Sequence, residues 1–205
     1  AMASRIAPGG VIVGVDNSQM MIAEAHKRVA GTGLPAEFRV ADVLNLPVDD
    51  NQFDCSQADR SLMHVPDAEK ALAEMKRVTK PGGCITVFEV DFGALTIDAE
   101  DRALGRTIIN TWCDSVKNGW LGRHMPALLT DLGLRDVRVV PYTLILTPSI
   151  ARLLMGQLTV NRATELGAIG KQEGAAWLAH LDELERRGRF FSTMTGFLVS
   201  GVKST

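Results

Sequence analysis

With 205 residues, 46% of them apolar and 22% charged, the chain is long enough for one sizeable α/β domain with a small helical elaboration. A formal net charge of −2 gives no electrostatic reason to expect nucleic acid or an anionic membrane as a partner. No apolar run approaches the roughly 18 residues of a membrane helix, and Ala1-Met2-Ala3-Ser4-Arg5 lacks a signal-peptide layout, so a cytoplasmic protein is expected.

Ala1 to Ile6 reads as the last turns of a helix, closed by Pro8-Gly9-Gly10. Val11-Ile12-Val13-Gly14-Val15 puts four β-branched residues in five positions and predicts a short buried parallel strand ending on Asp16. Ser18 then caps a helix running to Ala30, with Met21, Ile22, Ala25 and Val29 on one face. Glu37 to Val40 is a second strand running into Ala41-Asp42, and Phe53 to Ala58 a third, reaching Asp59-Arg60. Asp67 caps a helix that Lys80-Pro81-Gly82-Gly83 stops, and Cys84 to Val90 is a fourth strand delivering Asp91. Strands and helices alternating at this pitch imply right-handed crossovers and a parallel sheet.

Beyond Asp91 the pattern changes. Helices are predicted over 98–118 and 123–132, then a strand over 137–146 in which Pro141 demands an edge or a bulge. Two further helices over 149–166 and 171–187 precede a closing strand over 190–202. No repeat or linker is visible, so residues 1–205 are expected to form one domain, with 98–132 and 149–187 as helical lid or substrate elements. Cys55, Cys84 and Cys113 form no Cys-x-x-Cys pair; neither a disulfide framework nor a metal site is expected, and two of them read as small buried hydrophobes in strands.

An ordered set of stretches carries a resemblance. Gly9-Gly10-Val11-Ile12-Val13-Gly14-Val15-Asp16-Asn17-Ser18 is followed by Ala41-Asp42-Val43-Leu44-Asn45-Leu46-Pro47, then Phe53-Asp54 and Met63-His64-Val65-Pro66-Asp67, then Arg77-Val78-Thr79-Lys80-Pro81-Gly82-Gly83. Over roughly residues 5 to 90 the chain resembles the class I S-adenosylmethionine-dependent methyltransferases. It looks most like their ubiquinone and menaquinone biosynthesis branch. The resemblance implies a Rossmann-like, mostly parallel sheet with helices on both faces and an antiparallel last strand. It implies S-adenosyl-L-methionine as cofactor, and cofactor contacts at Asp16, Asn17, Met20, Met21, Ala41, Asp42, Val43, Asp59 and Arg60. In such proteins the acid at Asp16 holds the ribose diol, and a hydrophobic residue, here Met20 or Met21, flanks the adenine. Asp42 accepts from the adenine amine while Val43 offers its backbone N–H, and Ala58-Asp59-Arg60 approaches the methionine end. Each position also has a plain structural reading: a turn for Asp16, an Asx-turn for Asp42, a surface ion pair for Asp59 and Arg60.

The family's glycine-rich loop, Asp/Glu-x-Gly-x-Gly-x-Gly, is absent from the 205 residues. By the resemblance it belongs just before Ala1, after a strand that is the first in sequence and the middle one of the sheet. Losing that strand removes about ten ladder hydrogen bonds at a net ~1 kcal/mol each, against typical stabilities of about 5–15 kcal/mol. The sequence is therefore expected to be N-terminally incomplete, the strand being cleaved, disordered, omitted or supplied by another chain.

The activity implied is methyl transfer to a small, moderately apolar molecule, which Trp112 and Ile150 to Met155 are apolar enough to line. His124, Asp91 and His64 are the catalytic candidates, since an oxygen acceptor needs a base. The alternatives are a catalytically inactive methyltransferase-like binding or assembly partner and, with less support, a nicotinamide-dependent oxidoreductase, which the missing Gly-x-Gly-x-x-Gly opposes. A small-molecule substrate and a homodimer are the partners considered.

Overall fold

A computed structural model describes residues 9–205; the expected helix end at Ala1 to Ile6 lies outside the described residues. Elements follow in the order β1 (Ile12–Asp16), α1 (Gln19–Val29), β2 (Ala36–Val40), β3 (Phe53–Asp59), α2 (Ala68–Val78) and β4 (Thr79–Ile97). Then come α3 (Arg102–Ser115), α4 (Leu121–Asp131), β5 (Leu134–Ile145), α5 (Pro148–Met155), α6 (Gln157–Glu165), α7 (Lys171–Arg186) and β6 (Ser192–Lys203). The helix starts are chemically marked: Ser18 Oγ accepts from Met21 N, Asp67 from Lys70 N, Asp101 from Leu104 N and Thr147 from Ile150 N.

The strands form two sheets. β1 and β2 pair in parallel, and a four-stranded sheet has the order β3-β4-β6-β5. β3 runs parallel to β4, while β6 lies antiparallel between β4 and β5, as expected of the closing strand. β1 and β3 share no ladder. In the single sheet that the resemblance implies, a middle strand would fill a slot between β1 and β3.

That slot explains one correction. β1 was expected to be buried, yet none of its residues is, and Val11 and Val15 are exposed, because β1 has a strand neighbour on one side only. Another correction concerns Cys55, which is exposed, while Cys84 is half-buried and only the helical Cys113 is fully buried. Residues paired across strands share a face, and Cys55, Gln57 and Asp59 share theirs with Phe88, Leu198 and Tyr142. Among the described residues no helix buries that face. Phe88 meets Tyr142 edge to face, ring centroids 6.1 Å apart, and Tyr142 remains 51% exposed.

The opposite face carries the core, with Ile85, Val87 and Val199 wholly buried under α2, α3 and α4. The helix expected from residue 98 starts at Arg102 instead, because β4 continues to Ile97, pairing Thr96 with Thr193 and Ile97 with Ser192. The single helix expected over 149–166 is two, α5 and α6, broken at Gly156, where a Cβ would stand 2.1 Å from the Arg152 carbonyl oxygen. As Pro141 requires, β5 is an edge strand, and its register shifts between Arg135 and Arg138. α5, α6 and α7 pack outside α3 around Trp177, whose indole N–H donates to the Met155 carbonyl at 2.8 Å.

Candidate functional site

β1 and β2 end side by side. Asp16 is the register partner of Val40, and Ala41 N donates to the Asp16 carbonyl at 3.1 Å, so Asp16 and Asp42 stand at adjacent parallel strand tips. Asp16 Oδ1 accepts from Ser18 N at 2.8 Å, and Asp42 Oδ1 from Leu44 N at 2.9 Å. Both acids therefore make the local turns that their structural readings describe, and each keeps a second oxygen without a hydrogen bond among the described residues. Asn17, Met20 and Met21 are exposed beside them, while Ala41 and Val43 are half-buried, Val43 against the core.

The loop that follows Asp42 is tied down from α2. Leu46 N donates to Glu74 at 2.8 Å, and Arg77 reaches the carbonyls of Leu46 and Val48 and the Asp50 carboxylate. The Arg77 guanidinium holds the Glu74 carboxyl below the usual range. Between this loop and Arg39 lies an open hollow of about 510 Å³, lined chiefly by polar groups including Arg39, Asn45, Asp49 and Arg77.

At the tip of β3, beside Phe88 of β4, Asp59 and Arg60 form an exposed ion pair at 2.8 Å. Arg60 has φ 50°, a left-handed conformation unusual for a residue with a side chain. The segment after it is held from three directions. Arg60 N donates to the Phe88 carbonyl at 2.8 Å, and Ser61 N and Leu62 N donate to Glu89 Oε1 at 3.0 and 2.7 Å. Asn118 Nδ2 completes the set by donating to the carbonyls of Leu62 and Val65. His64 closes this segment, exposed, in a short 3₁₀ turn.

Glu89 is the residue that sequence reasoning missed, although an acid inside Ile85-Thr86-Val87-Phe88-Glu89-Val90 is a visible anomaly in an apolar strand. It is fully buried, and its Oε2 has no hydrogen-bond partner. Burial pushes its carboxyl up from 4.5 to about 7, the Leu62 and Ser61 N–H groups opposing the rise and the Asp59 charge adding to it. An acid whose folded pKa is raised adds stability below its unfolded value, and that contribution disappears as pH climbs through the folded value. Stability is thus expected to fall between pH 4.5 and about 7 on this group's account, by about 3 kcal/mol. In Glu89→Gln, urea titrations over that range should show the decline flattened; an unchanged decline would remove Glu89 as its cause.

Asp91, also buried, is bound bidentately by Arg123: Nε donates to Oδ2 at 2.6 Å and Nη2 to Oδ1 at 3.0 Å, while Gly93 N donates to Oδ1 at 3.0 Å. The Trp120 ring lies 4.5 Å from the guanidinium carbon. α4 can cross this tip because its second residue is Gly122, where a Cβ would lie 2.8 Å from Val90 C and Asp91 N. His124 follows Arg123, exposed in the first turn of α4. Of the three candidate bases, Asp91 thus has both oxygens engaged, and the two histidines are open to solvent. In the segment expected to line a substrate cavity, Ala151, Leu154 and Met155 are buried while Ile150 and Leu153 are exposed; Trp112 is half-buried, edge to face with Phe92 at 5.8 Å.

Among the described residues no group of three or more His, Cys, Asp or Glu is placed to hold a metal, and no helix is long and apolar enough to cross a membrane.

Comparison with known proteins agrees with this geometry. Residues 1–87 match a methyltransferase domain family. The chain is 35% identical over 202 residues, 97% of its length, to an uncharacterised 37.1 kDa protein in transposon Tn4556 of Streptomyces fradiae, of which it covers 57%. It is 35% identical over 91 residues to the demethylmenaquinone methyltransferase of Lactobacillus johnsonii, covering 43% of this chain and 37% of that one. The YcgJ protein of Bacillus subtilis has a similar fold, with a TM-score of 0.63 at 16% identity over 95% of this chain and 83% of that one. The chain thus spans little more than half of the first relative and about a third of the second. The sheet, with its antiparallel closing strand, and the match over residues 1–87 agree with the resemblance to a methyltransferase domain. Over 83 to 91 residues the chain is also similar to ubiquinone and menaquinone biosynthesis methyltransferases.

Proposed function

We propose that the chain binds S-adenosylmethionine with its adenosine half at the tips of β1 and β2, and transfers the methyl group to a small, moderately apolar molecule. The observation carrying this reading is the pair of acids, Asp16 and Asp42, at neighbouring parallel strand tips, each with an oxygen uncommitted among the described residues. Ionised carboxylates accept only, which suits the hydroxyls of a ribose at Asp16 and an adenine amine at Asp42. The exposed thioethers of Met20 and Met21 offer the apolar surface that a purine ring needs. The adenosine half of the cofactor therefore fits the residues present. For the carboxypropyl half, no glycine-rich turn follows a strand among residues 9–205. We assign that cradle, with a strand filling the slot between β1 and β3, to a preceding segment or to another chain.

When bound, the cofactor supplies an electrophilic methyl group on a sulfonium. The chain's own residues contribute alignment, an effect worth up to about 7–11 kcal/mol in well-oriented systems. Asp16 and Asp42 fix the nucleoside, the clamped Arg60–Val65 segment presents a rigid wall, and the Asp91–Arg123 pair anchors α4 against β4. The acceptor faces that wall and the half-buried Trp112. If its nucleophile is a hydroxyl, an imidazole at His64 or His124 takes the proton; a nitrogen or carbon nucleophile already competent needs no base.

Calorimetric titration with S-adenosylmethionine tests the reading. Asp16→Ala should weaken binding more than about tenfold, a loss of roughly 1.4 kcal/mol. Undiminished affinity in that variant would put the ribose elsewhere.

A further inference from the structure

Glu89 has a geometry that the cofactor reading leaves unused. It lies beneath the segment that leaves β3, where that strand's carboxyl end opens toward the ligand crevice of an α/β sheet. One carboxyl oxygen holds the backbone N–H groups of Ser61 and Leu62; the other is buried without a hydrogen-bond partner among the described residues. An unpaired buried oxygen is costly when charged and much less so when it carries a proton. The segment that it holds begins at Arg60, in a left-handed conformation that persists only where the surroundings impose it.

We propose that Glu89 is a positioning residue whose carboxyl fixes the Arg60–His64 segment and releases its proton to solvent when a cation arrives at the tip of β3. The cation is the sulfonium of the bound cofactor, so the inference rests on the function proposed above. A positive charge nearby favours the ionised carboxyl. The ionised form also strengthens both bonds to the Ser61 and Leu62 N–H groups. Cofactor arrival would thereby tighten the wall against which the acceptor is aligned. After transfer the thioether product is neutral, the proton returns, and the grip relaxes.

The other charged or titratable groups at this end of the sheet do not mimic the effect. Asp59 is paired with Arg60, and Asp91 with Arg123 from α4. The Cys113 thiol of α3 is pushed up to about 11 by burial and stays neutral. The helix α2 presents the apolar Ala71, Leu72 and Met75, and β6 places Phe197 opposite Glu89. His64 is exposed at the end of the segment, with its side chain outside the buried cluster around Glu89. Glu89, already raised to about 7, is the group poised to exchange a proton near neutrality.

Calorimetry of the full chain at pH 7 in two buffers of different ionisation enthalpy measures protons released on binding. S-adenosylmethionine and S-adenosylhomocysteine share the nucleoside and the amino-acid end, so contributions common to both cancel. The expected result is a release of up to about half a proton with the sulfonium and close to none with the thioether. Glu89→Gln should abolish the difference. Equal release with both ligands, or a difference that survives Glu89→Gln, overturns the proposal, and a purely structural role for Glu89 predicts equality. In the unaltered chain the affinity ratio of the two ligands should rise from pH 6 to pH 8. A flat ratio refutes the linkage even if the variant fails to fold. Binding of both ligands without the difference sinks this inference alone, whereas binding of neither sinks the cofactor reading with it.

Discussion

Trp177→Ala is expected to destabilise the protein by about 3–5 kcal/mol, the range for removing a large buried aromatic side chain. Trp177 is wholly enclosed in α7, at the junction where α3, α5, α6 and α7 meet. Its ring packs on α3 so closely that a Cβ added at Gly105 would lie 3.4 Å away. Its N–H satisfies the Met155 carbonyl at the end of α5, just before the chain breaks at Gly156. Removing the ring leaves a cavity that four helices cannot easily close and strands that carbonyl as well. Trp177→Phe keeps most of the volume and loses the bond, so it should cost only about 1–2 kcal/mol. Denaturant midpoints for the two variants check both figures, and a loss below 1 kcal/mol for alanine would mean that the helical layer is not held from this point.

Arg123→Ala should cost about 3 kcal/mol and also loosen α4 over the sheet. The reason is asymmetric burial: Asp91 has a side chain only 3% exposed, whereas Arg123 is 42% exposed. A surface pair would be worth little. Removing the arginine, however, leaves a buried carboxylate with the Gly93 N–H as its remaining described partner, and orphaned buried charges typically cost about 3–5 kcal/mol. Partial access of water through the arginine side argues for the lower end. In the double variant Arg123→Ala/Asp91→Asn most of the loss should return, because the charge is gone. A double variant as unstable as the single one would show that packing of Arg123 on Trp120 matters, and not the ion pair.

What could be read from the sequence was local. The strand tips at Asp16 and Asp42 were visible because apolar or β-branched runs end on an acid followed by turn chemistry, and the edge position of β5 followed from the missing N–H of Pro141. Features set by distant partners were not visible. Asp91 was recognised as an acid at a strand tip, but its neutraliser lies 32 residues away on a helix that reaches it only because Gly122 has no side chain. Glu89 looked like one residue of a strand until the N–H groups 27 and 28 residues earlier came to rest on it. The burial expected of Val11 to Val15 failed for a related reason: a β-branched run fixes a strand, but only its neighbours decide whether water is excluded.

If two acids on neighbouring strand tips grip one nucleoside, a crystal structure of the chain with S-adenosylhomocysteine will show the grip. Both ribose hydroxyls should lie within about 3 Å of the Asp16 carboxylate, and the adenine amine at the same distance from Asp42. A nucleoside lodged instead in the hollow between Arg39 and Arg77, with Asp16 and Asp42 untouched, would contradict it.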